Sequence, residues 1–398
     1  MIRSRSSPFN KSLAVCCVAL IAGQIQAHEL GNGVQAHGFI SQSLVYTSDN
    51  NVAGESDDSV ATNLRELGAN LSWRPKPDWL LSGQVLARWA GEADEGDLRL
   101  DYGFVDRTLF ASGDSQIGLR LGKIKNPYGF YNTTRDVAHT RPGIIMPQSV
   151  YPDQIRNFFL AAPGFSLYGN SENDLGNLSW QISALRPEVD DPSLEYLFMV
   201  GDRLGHFDGD NSWLSQFMFD MDGQWRMGLS VGEMNMSYRP SPGDPFIAGR
   251  HHLPTWVLSL EHNTEDWSLT AEYGQTQVDA TGSFRQNSTT EAWYVQATRR
   301  LGNGWQSFLR YDALYYNKND REGTAFVGEA LLNGLRLPAH SRFAKDWVIG
   351  VRRDIDHLAL SAELHVVDGT AWLAQSDNPT AGLVRKWDML LLQAAWRF

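Results

Sequence analysis

Residues 222–232 read Asp-Gly-Gln-Trp-Arg-Met-Gly-Leu-Ser-Val-Gly, and the fold prediction depends on the pattern they contain. After the turn pair Asp222-Gly223, apolar residues occupy every second position from Trp225 to Val231, with small or charged residues between them. A two-residue period predicts a β-strand with one apolar and one polar face. The aromatic Trp225 at the end of this apolar set favours a transmembrane barrel. In such a barrel the apolar face of each strand contacts lipid and the other face lines a water-filled lumen.

The same alternation recurs along the chain, for example where Leu358, Leu360 and Leu364 alternate with Ser361 and Glu363. It predicts sixteen strands, at about 36–46, 63–73, 79–90, 98–111, 115–124, 163–170, 177–187, 213–221, 224–234, 253–262, 266–279, 290–301, 304–317, 345–355, 358–368 and 386–398. Bacterial single-chain barrels have an even number of strands. The predicted fold class is therefore all-β, a transmembrane antiparallel β-barrel of about 16 strands.

The connections between these strands alternate between short and long. The short ones carry turn residues, as in Ser112-Gly113-Asp114 and Gly302-Asn303. The long ones run over 47–62, 125–162, 188–212, 235–252, 280–289, 318–344 and 369–385. Short turns on one side and long loops on the other are typical of an outer-membrane barrel, whereas a soluble sandwich has no reason to keep this alternation.

Composition is consistent with a barrel and excludes other classes. The mean hydropathy of the chain is -0.34, too low for a protein of several membrane-spanning helices. The 14 Trp, 13 Tyr and 18 Phe among 398 residues exceed what a disordered chain carries. The formal net charge of -12 argues against a nucleic-acid-binding role, because phosphate neutralisation needs basic faces.

Residues 1–27 are predicted to be a secretory signal peptide. Basic residues come first, an uncharged apolar run follows at 13–22, and Ile25-Gln26-Ala27 precedes the polar His28. The apolar run is too short to span a bilayer. Both cysteines lie in this segment, so the expected mature chain has no disulfide. We predict one domain over 28–398, located in the bacterial outer membrane.

The last predicted strand ends on an aromatic residue. Leu390, Leu392, Ala394, Trp396 and Phe398 alternate up to the final position. A terminal aromatic on an amphipathic strand resembles the signal by which outer-membrane barrels are recognised for insertion. We therefore expect the barrel-assembly machinery to be a partner through this strand, and outer-membrane lipid and lipopolysaccharide to surround the barrel.

The connection 125–162 is predicted to fold inward as a constriction loop. It is long, and its Tyr, Phe, Ile and Met content is wrong for disorder. Prolines at 127, 142, 147 and 152 make it stiff and unable to pair as a strand. A stiff, aromatic segment needs burial, and inside a barrel the lumen is the available place.

Positive charge is concentrated in and beside this loop. Only Asp136 and Asp153 oppose six basic candidates for pore constriction and solute binding: Arg120, Lys123, Lys125, Arg135, Arg141 and Arg156. Strand parity predicts further lumen-facing charges at Arg88, Arg99, Arg226, Arg310 and Arg352, partly offset by Asp101, Glu272, Asp312 and Glu363. Basic residues at a narrow passage favour anions. Alternatively, Arg135 and Arg141 only pin the loop to wall carboxylates, since buried charges are usually paired.

The sequence predicts no catalytic residues, no metal site and no cofactor. The stretch 118–123 resembles a phosphate-binding loop but lacks a Ser or Thr after its Lys. The adjacent His251 and His252 have no obvious third metal ligand. The acidic loop 188–212 leaves two alternatives open, shared divalent cations or a solvated loop that repels its neighbours.

Sixteen strands with an inward loop after the fifth resemble the general bacterial porins, which form trimers of water-filled channels. The loop sequences 122–129 and 132–136, followed by Arg141-Pro142, are similar to porin-like proteins near the phosphate-selective porins. The resemblance implies a passive channel and a homotrimer. The phosphate-selective porins line their path with many lysines, whereas 28–398 contains six.

We therefore expect an outer-membrane porin for passive diffusion of small hydrophilic solutes with anion preference, and not an enzyme. The alternative is a non-conducting structural barrel or an outer-membrane enzyme. An enzyme needs a Ser/His or paired-carboxylate cluster at the outer rim, and the spacings do not assemble one. Carbohydrate or aromatic-acid uptake stays open, because aromatic residues are frequent in the constriction loop.

Overall fold

The computed structural model describes residues 28–92, 94–199, 204–283, 285–332 and 336–398. Eighteen strands lie within these ranges. Their bounds are β1 His28–Gly31, β2 Val34–Thr47, β3 Ala61–Lys76, β4 Trp79–Ala90, β5 Glu95–Ser112, β6 Ser115–Lys125, β7 Ala161–Asn173, β8 Gly176–Leu185, β9 His206–Gly209, β10 Ser212–Met221, β11 Trp225–Arg239, β12 Gly249–Asn263, β13 Trp267–Ala280, β14 Gln286–Gly302, β15 Trp305–Tyr315, β16 Phe343–Ile355, β17 Leu358–Gly369 and β18 Lys386–Arg397.

Sixteen of these strands form one closed antiparallel barrel, as predicted. Each of them pairs with its neighbours in chain order, and β8 pairs directly with β10. The barrel closes where β18 pairs with β2, from Met389 opposite Thr47 to Arg397 opposite Phe39. The short connections lie at one end of the barrel, called here the turn side, and the long ones at the other, called the loop side.

Two short strands were not predicted. β1 forms a small hairpin with β2, and β9 pairs with the end of β11, where Phe207 lies opposite Tyr238. Segments of four residues are too short to show a two-residue period, so their pairing depends on the longer strand beside them.

The faces of the strands follow the predicted alternation. On β11, Trp225, Met227 and Leu229 are exposed on the outer surface, whereas Gly228 and Ser230 are buried toward the lumen. Large apolar side chains are exposed on the other strands as well, including Leu67, Leu121, Phe165, Leu258, Leu309, Ile349, Leu364 and Leu392. An apolar outer belt of this kind is what a lipid-facing barrel needs.

Three short helices lie in the loop-side connections: α1 Arg156–Leu160, α2 Pro192–Met199 and α3 Thr324–Leu332. Single turns of 3-10 helix occur at Ala138–Thr140, Ala339–Arg342 and Thr380–Gly382. No helix was predicted, because helices this short carry too little period to detect. None of the helices in the described ranges is long and apolar enough to cross a membrane.

The connection from β6 to β7 lies inside the barrel, as predicted, and residues 126–160 are called here the inner loop. Its Tyr128, Ile144 and Phe158 are buried in one apolar cluster with wall residues such as Leu253 and Val257. This cluster occupies part of the loop-side half of the lumen. Residues 1–27 lie outside the described ranges, and the signal peptide therefore stays a prediction.

Candidate pore constriction

Wall carboxylates on β13 and β17 hold the inner loop in place. Glu272 on β13 accepts hydrogen bonds from the Phe130 backbone N–H at 2.8 Å and from the Tyr151 hydroxyl at 2.5 Å. Glu363 on β17 accepts one from the backbone N–H of Ile144. Each of these bonds joins a loop group to a strand far away in sequence, so together they fix the position of the loop across the lumen.

Arg141 connects the inner loop to the opposite wall. Its Nη2 lies 2.7 and 2.6 Å from the two carboxylate oxygens of Glu66 on β3. Its Nε donates to the backbone oxygen of Arg135 at 2.6 Å. Charge-assisted hydrogen bonds of this kind are strong and directional, so Arg141 does pin the loop, as the alternative interpretation of the sequence required.

Lys125 and Asp136 form a second ion pair at the base of the inner loop. The Lys125 Nζ lies 2.6 Å from Asp136 Oδ1 and 2.8 Å from the backbone oxygen of Thr133. Gln84 on β4 also donates to the Asp136 carboxylate. Burial by itself would raise the pKa of Asp136, but the Lys125 ammonium and these hydrogen bonds lower it below its usual value.

Arg88, Arg135 and Arg156 surround Asp153. Asp153 Oδ2 lies 2.5 Å from Arg88 Nη2, and Oδ1 lies 3.2 Å from Arg135 Nη2. Burial would raise the pKa of Asp153, but Arg88 and then Arg135 lower it well below its usual range. Arg156 is buried beside them, with Nη1 3.7 Å from Asp101, too far for a hydrogen bond.

Two cavities border Arg141, and one of them, on the loop side, also has this arginine cluster in its lining. The loop-side cavity is lined by Glu66, Arg88, Arg135, Arg141, Asp153, Arg156, Trp372 and Asp377 among others. The turn-side cavity is lined by Arg141, Glu261, Arg300, Arg352 and Glu363 among others. Arg141 belongs to both linings.

The predicted lumen-facing arginines all lie on the inner side of the wall. Arg88 and Arg310 are buried, and Arg310 Nη2 donates to the Ile145 backbone oxygen at 3.1 Å. The other three contact the inner loop, the wall or the turn-side cavity: Arg226 stacks 4.6 Å from the Phe130 ring, Arg99 lies 3.2 Å from Asp94, and Arg352 lines the turn-side cavity.

Two of the six constriction candidates lie apart from the cluster. Lys123 follows Leu121 by two residues on an outward-facing row, and its Nζ lies 2.6 Å from Glu188. Lys125, at the end of the same strand, lines a cavity of the lumen instead. Arg120 does face inward, but its Nε bonds to Asp106 on β5 at 2.7 Å.

Several residues that shape the site were not predicted from sequence. Glu66 and Gln84 stood on the polar faces of their strands with nothing to mark them as partners of the inner loop. Trp372, in the long connection between β17 and β18, lines the loop-side cavity and is buried. An isolated aromatic residue in a long loop gives no signal of where it packs.

The acidic loop after β8 does not gather its carboxylates. Glu188 pairs with Lys123, Asp191 caps the start of α2 at the Ser193 N–H, 3.0 Å away, and Asp210 accepts from Ser237. In the described part of the chain no group of three or more His, Cys, Asp or Glu side chains is placed to hold a metal ion. The Glu195 side chain and Asp202 lie outside the described residues.

No protein-family model matches the sequence, and no curated relative matches it either. Solved structures share its fold. An anion-selective porin from Comamonas acidovorans is 13% identical with a TM-score of 0.57, covering 92% of this chain and 99% of that one. OmpF of Salmonella typhi is 14% identical with a TM-score of 0.59, covering 94% and 100%. OmpT of Vibrio cholerae in a trimer form is 11% identical with a TM-score of 0.54, covering 92% and 99%.

The fold is therefore that of the bacterial outer-membrane porins, a sixteen-stranded antiparallel barrel with a loop folded into its lumen. The likeness covers nearly the whole described barrel. The likeness concerns the architecture alone, and it says nothing about the residues of the arginine cluster.

Proposed function

We propose that the protein is an outer-membrane channel for passive diffusion of small hydrophilic solutes, with a preference for anions. The observation that carries the proposal is the position of Arg141, which borders both the loop-side and the turn-side cavity. A solute that crosses from one cavity to the other meets this guanidinium group, so its charge weighs directly on which ions pass.

Both cavities have an excess of positive charge, although the whole chain has a formal net charge of -12. The loop-side cavity is lined by four arginines and three carboxylates, and the turn-side cavity by three arginines and two carboxylates. Low-dielectric walls focus the field of such groups into the lumen. The excess supports anion preference, as does the description of the Comamonas porin, which shares the fold, as anion-selective.

The partners of the channel follow from the same architecture. We propose a homotrimer, because a neighbour of this fold is described in a trimer form. The apolar outer belt supports contact with outer-membrane lipid and lipopolysaccharide, and the last strand β18, which Phe398 follows directly, supports recognition by the barrel-assembly machinery.

The test is single-channel recording in a planar bilayer, followed by the zero-current potential under a salt gradient. We expect step-like conductance and anion preference in the wild type. One unit charge about 6 Å from a passing ion in water stabilises an anion and destabilises a cation by about 0.7 kcal/mol each, a difference of about 1.4 kcal/mol, so Arg141→Gln and Arg135→Gln should each lower the anion-to-cation permeability ratio roughly tenfold. The control is Arg353→Gln, because Arg353 is exposed and stacks on Trp305.

The outcomes separate the parts of the proposal. Cation preference in the wild type, or an equal change in Arg353→Gln, would leave the channel in place but remove the role given to Arg135 and Arg141. Absence of conductance from barrels shown to be folded would favour the non-conducting or enzymatic alternative, with the apolar cluster of the loop-side half closing the lumen.

A further inference from the structure

A third cavity adjoins the loop-side cavity and differs from it in chemistry. It is called here the apolar cavity, and its lining includes Tyr128, Val150, Phe158, Leu253, Val278 and Leu314. Gln154 and Trp372 line both cavities and therefore mark where the two meet. A positively charged compartment and an apolar compartment thus share one boundary inside the barrel.

At this boundary, buried hydrogen-bond donors without a partner outnumber acceptors without a partner. Among the described residues that line the two cavities, the buried side-chain nitrogens or oxygens without a hydrogen-bond partner belong to Arg88, Arg135, Arg156 and Trp372. Arg135, Arg156 and Trp372 are 1%, 3% and 7% exposed. All the unpartnered atoms are N–H donors, so the site has donors to offer and needs an acceptor.

An anionic oxygen is the acceptor that suits these donors. A buried donor left without a partner costs free energy, and a charged donor costs more than a neutral one. A carboxylate has two oxygens in one plane, and guanidinium groups bind this shape with paired hydrogen bonds. Burial together with the neighbouring Arg156 and Arg88 lowers the pKa of Arg135 to about 10, which leaves it cationic at neutral pH.

The apolar cavity selects what the carboxylate is attached to. Phe158, Leu253 and Leu314 present no polar side-chain atom, and although Thr276, Gln286 and Arg342 also belong to the lining, this apolar part favours an apolar body over a sugar or an inorganic ion. The apolar cavity has a volume of about 100 Å³ and the loop-side cavity about 80 Å³. Together they are of the size of a cavity that holds benzene, roughly 150 Å³, so one ring and its carboxylate fit.

We propose that the preferred solute of this channel is an amphipathic organic anion, a carboxylate that carries one aromatic or branched apolar body. The carboxylate lies among Arg135, Arg156 and the indole N–H of Trp372, and the apolar body lies against Phe158 and Leu253. This inference rests on the proposed function, because it names the solute class that the same channel retains longest on its way through.

The test uses chloride current through the reconstituted channel, with three probes added. Benzoate has both features, acetate has the carboxylate without the body, and benzyl alcohol has the body without the charge. We expect benzoate to reduce the chloride current saturably, at concentrations at least about tenfold lower than acetate, and benzyl alcohol to have no saturable effect.

A pair of matched variants tests the role of the indole. Trp372→Phe keeps the ring and removes the unpartnered N–H, and it should weaken the benzoate effect about fivefold to tenfold. Trp387→Phe is the control: its ring lies 5.4 Å from that of Trp372, but its N–H already donates to the Gly369 backbone oxygen at 3.1 Å. Trp387→Phe should leave the benzoate effect unchanged.

Failure of this inference is distinguishable from failure of the proposed function. Equal potency of benzoate and acetate in an anion-selective channel overturns the inference alone. So does saturable block by benzyl alcohol, or an equal loss of the benzoate effect in both tryptophan variants. Absence of conductance from folded barrels overturns the proposed function and the inference with it. The comparison of the three probes on the wild type needs no variant to fold.

Discussion

At the scale of single residues, Asp136 shows how the lumen holds a charge. Its side chain is fully buried, yet both oxygens have partners, one in Lys125 and the other in Gln84. An ionised carboxylate in such a place is stable only while those donors remain. Asp136 is therefore a fixed negative charge, and its hydrogen bond orients the Lys125 ammonium group at the base of the inner loop.

We predict that Asp136→Asn destabilises the barrel by about 2 kcal/mol at neutral pH, the scale of a hydrogen bond to a charged group. Because folding lowers the pKa of Asp136, its ionised form stabilises the folded state above the unfolded value near 3.9, and this contribution is lost as pH falls through the folded value. Urea unfolding in lipid vesicles should show a constant gap from the wild type at about pH 6 to 8 that shrinks below about pH 4.

Asp354→Asn is the control for that measurement. Asp354 is exposed and bonds to Arg352 at 2.7 Å on the same strand. Exposed ion pairs contribute about 1 kcal/mol at most, so the variant should differ little from the wild type at any pH. A gap for Asp136→Asn that persists unchanged at pH 3 would contradict the assignment of the effect to its ionised form.

At the scale of elements, the inner loop is held by wall carboxylates rather than by strand pairing. Glu272 alone accepts hydrogen bonds from Phe130, Tyr151, Ser259 and Tyr294, of which two belong to the loop and two to the wall. Four donors surround this carboxylate, so a side chain at position 272 that itself carried an N–H donor would face groups that already donate. Glu272 is therefore one of the wall acceptors that hold the loop, and it binds two loop groups and two wall groups at once.

We predict that Glu272→Gln loosens the inner loop. The amide nitrogen of Gln is a donor, and it would face hydroxyl groups that now donate to a carboxylate oxygen. A loss of about 1.4 kcal/mol makes departures from the locked position about tenfold more frequent. Single-channel records should show this as more frequent interruptions of the open current.

Glu265→Gln is the matched control for Glu272→Gln, because Glu265 lies exposed in the turn between β12 and β13. An unchanged interruption rate in Glu272→Gln, with folding verified, would mean that the remaining contacts of the inner loop hold it without this carboxylate.

At the scale of the whole molecule, the barrel depends on one seam between its first and last barrel strands. At the turn-side end of this seam, Phe398 N–H donates to the Gly38 backbone oxygen at 2.9 Å, and Gly38 N–H donates to the Phe398 oxygen at 2.7 Å. The Phe398 ring lies over Gly38, where a Cβ atom would stand only 2.4 Å from it. A side chain at position 38 would therefore displace the Phe398 ring from this place.

We predict that deletion of Phe398 lowers the amount of folded barrel in the outer membrane by at least about fivefold, since two backbone hydrogen bonds and the ring contact are lost. The amount is measured as the heat-modifiable band on a gel. Phe398→Tyr, which keeps the ring and the backbone, is the control and should assemble normally.

Refolding of the deleted chain in detergent separates two causes. Normal refolding with poor assembly in cells would assign Phe398 to recognition by the assembly machinery, whereas poor refolding in both would assign it to the seam itself. Normal yield in both settings would contradict the prediction.

The barrel was predictable because its information is local. Alternation such as that of 225–232 determines the face on which each side chain lies, independently of distant parts of the chain. Turn pairs such as Asp222-Gly223, both with positive φ, suit the tight reversals between strands. All sixteen barrel strands were predicted in this way, whereas the inward loop was predicted from its length, its prolines and its aromatic content. The two four-residue strands and the three short helices were not, because their formation depends on neighbours rather than on a period.

The constriction was predictable only as a region of charge. That Arg141 lies in an inward loop follows from the sequence, but that it meets Glu66, 75 positions away, depends on how the closed barrel brings β3 opposite the loop. Lys125 shows the limit clearly, since alternation from the exposed Leu121 would place it on the outward row with Lys123, yet at the end of the strand it pairs with the buried Asp136. Periodicity determined which faces are apolar and which are wet. Only the tertiary structure decided which charges pair and which donors remain free, because those pairings join residues that are distant in sequence.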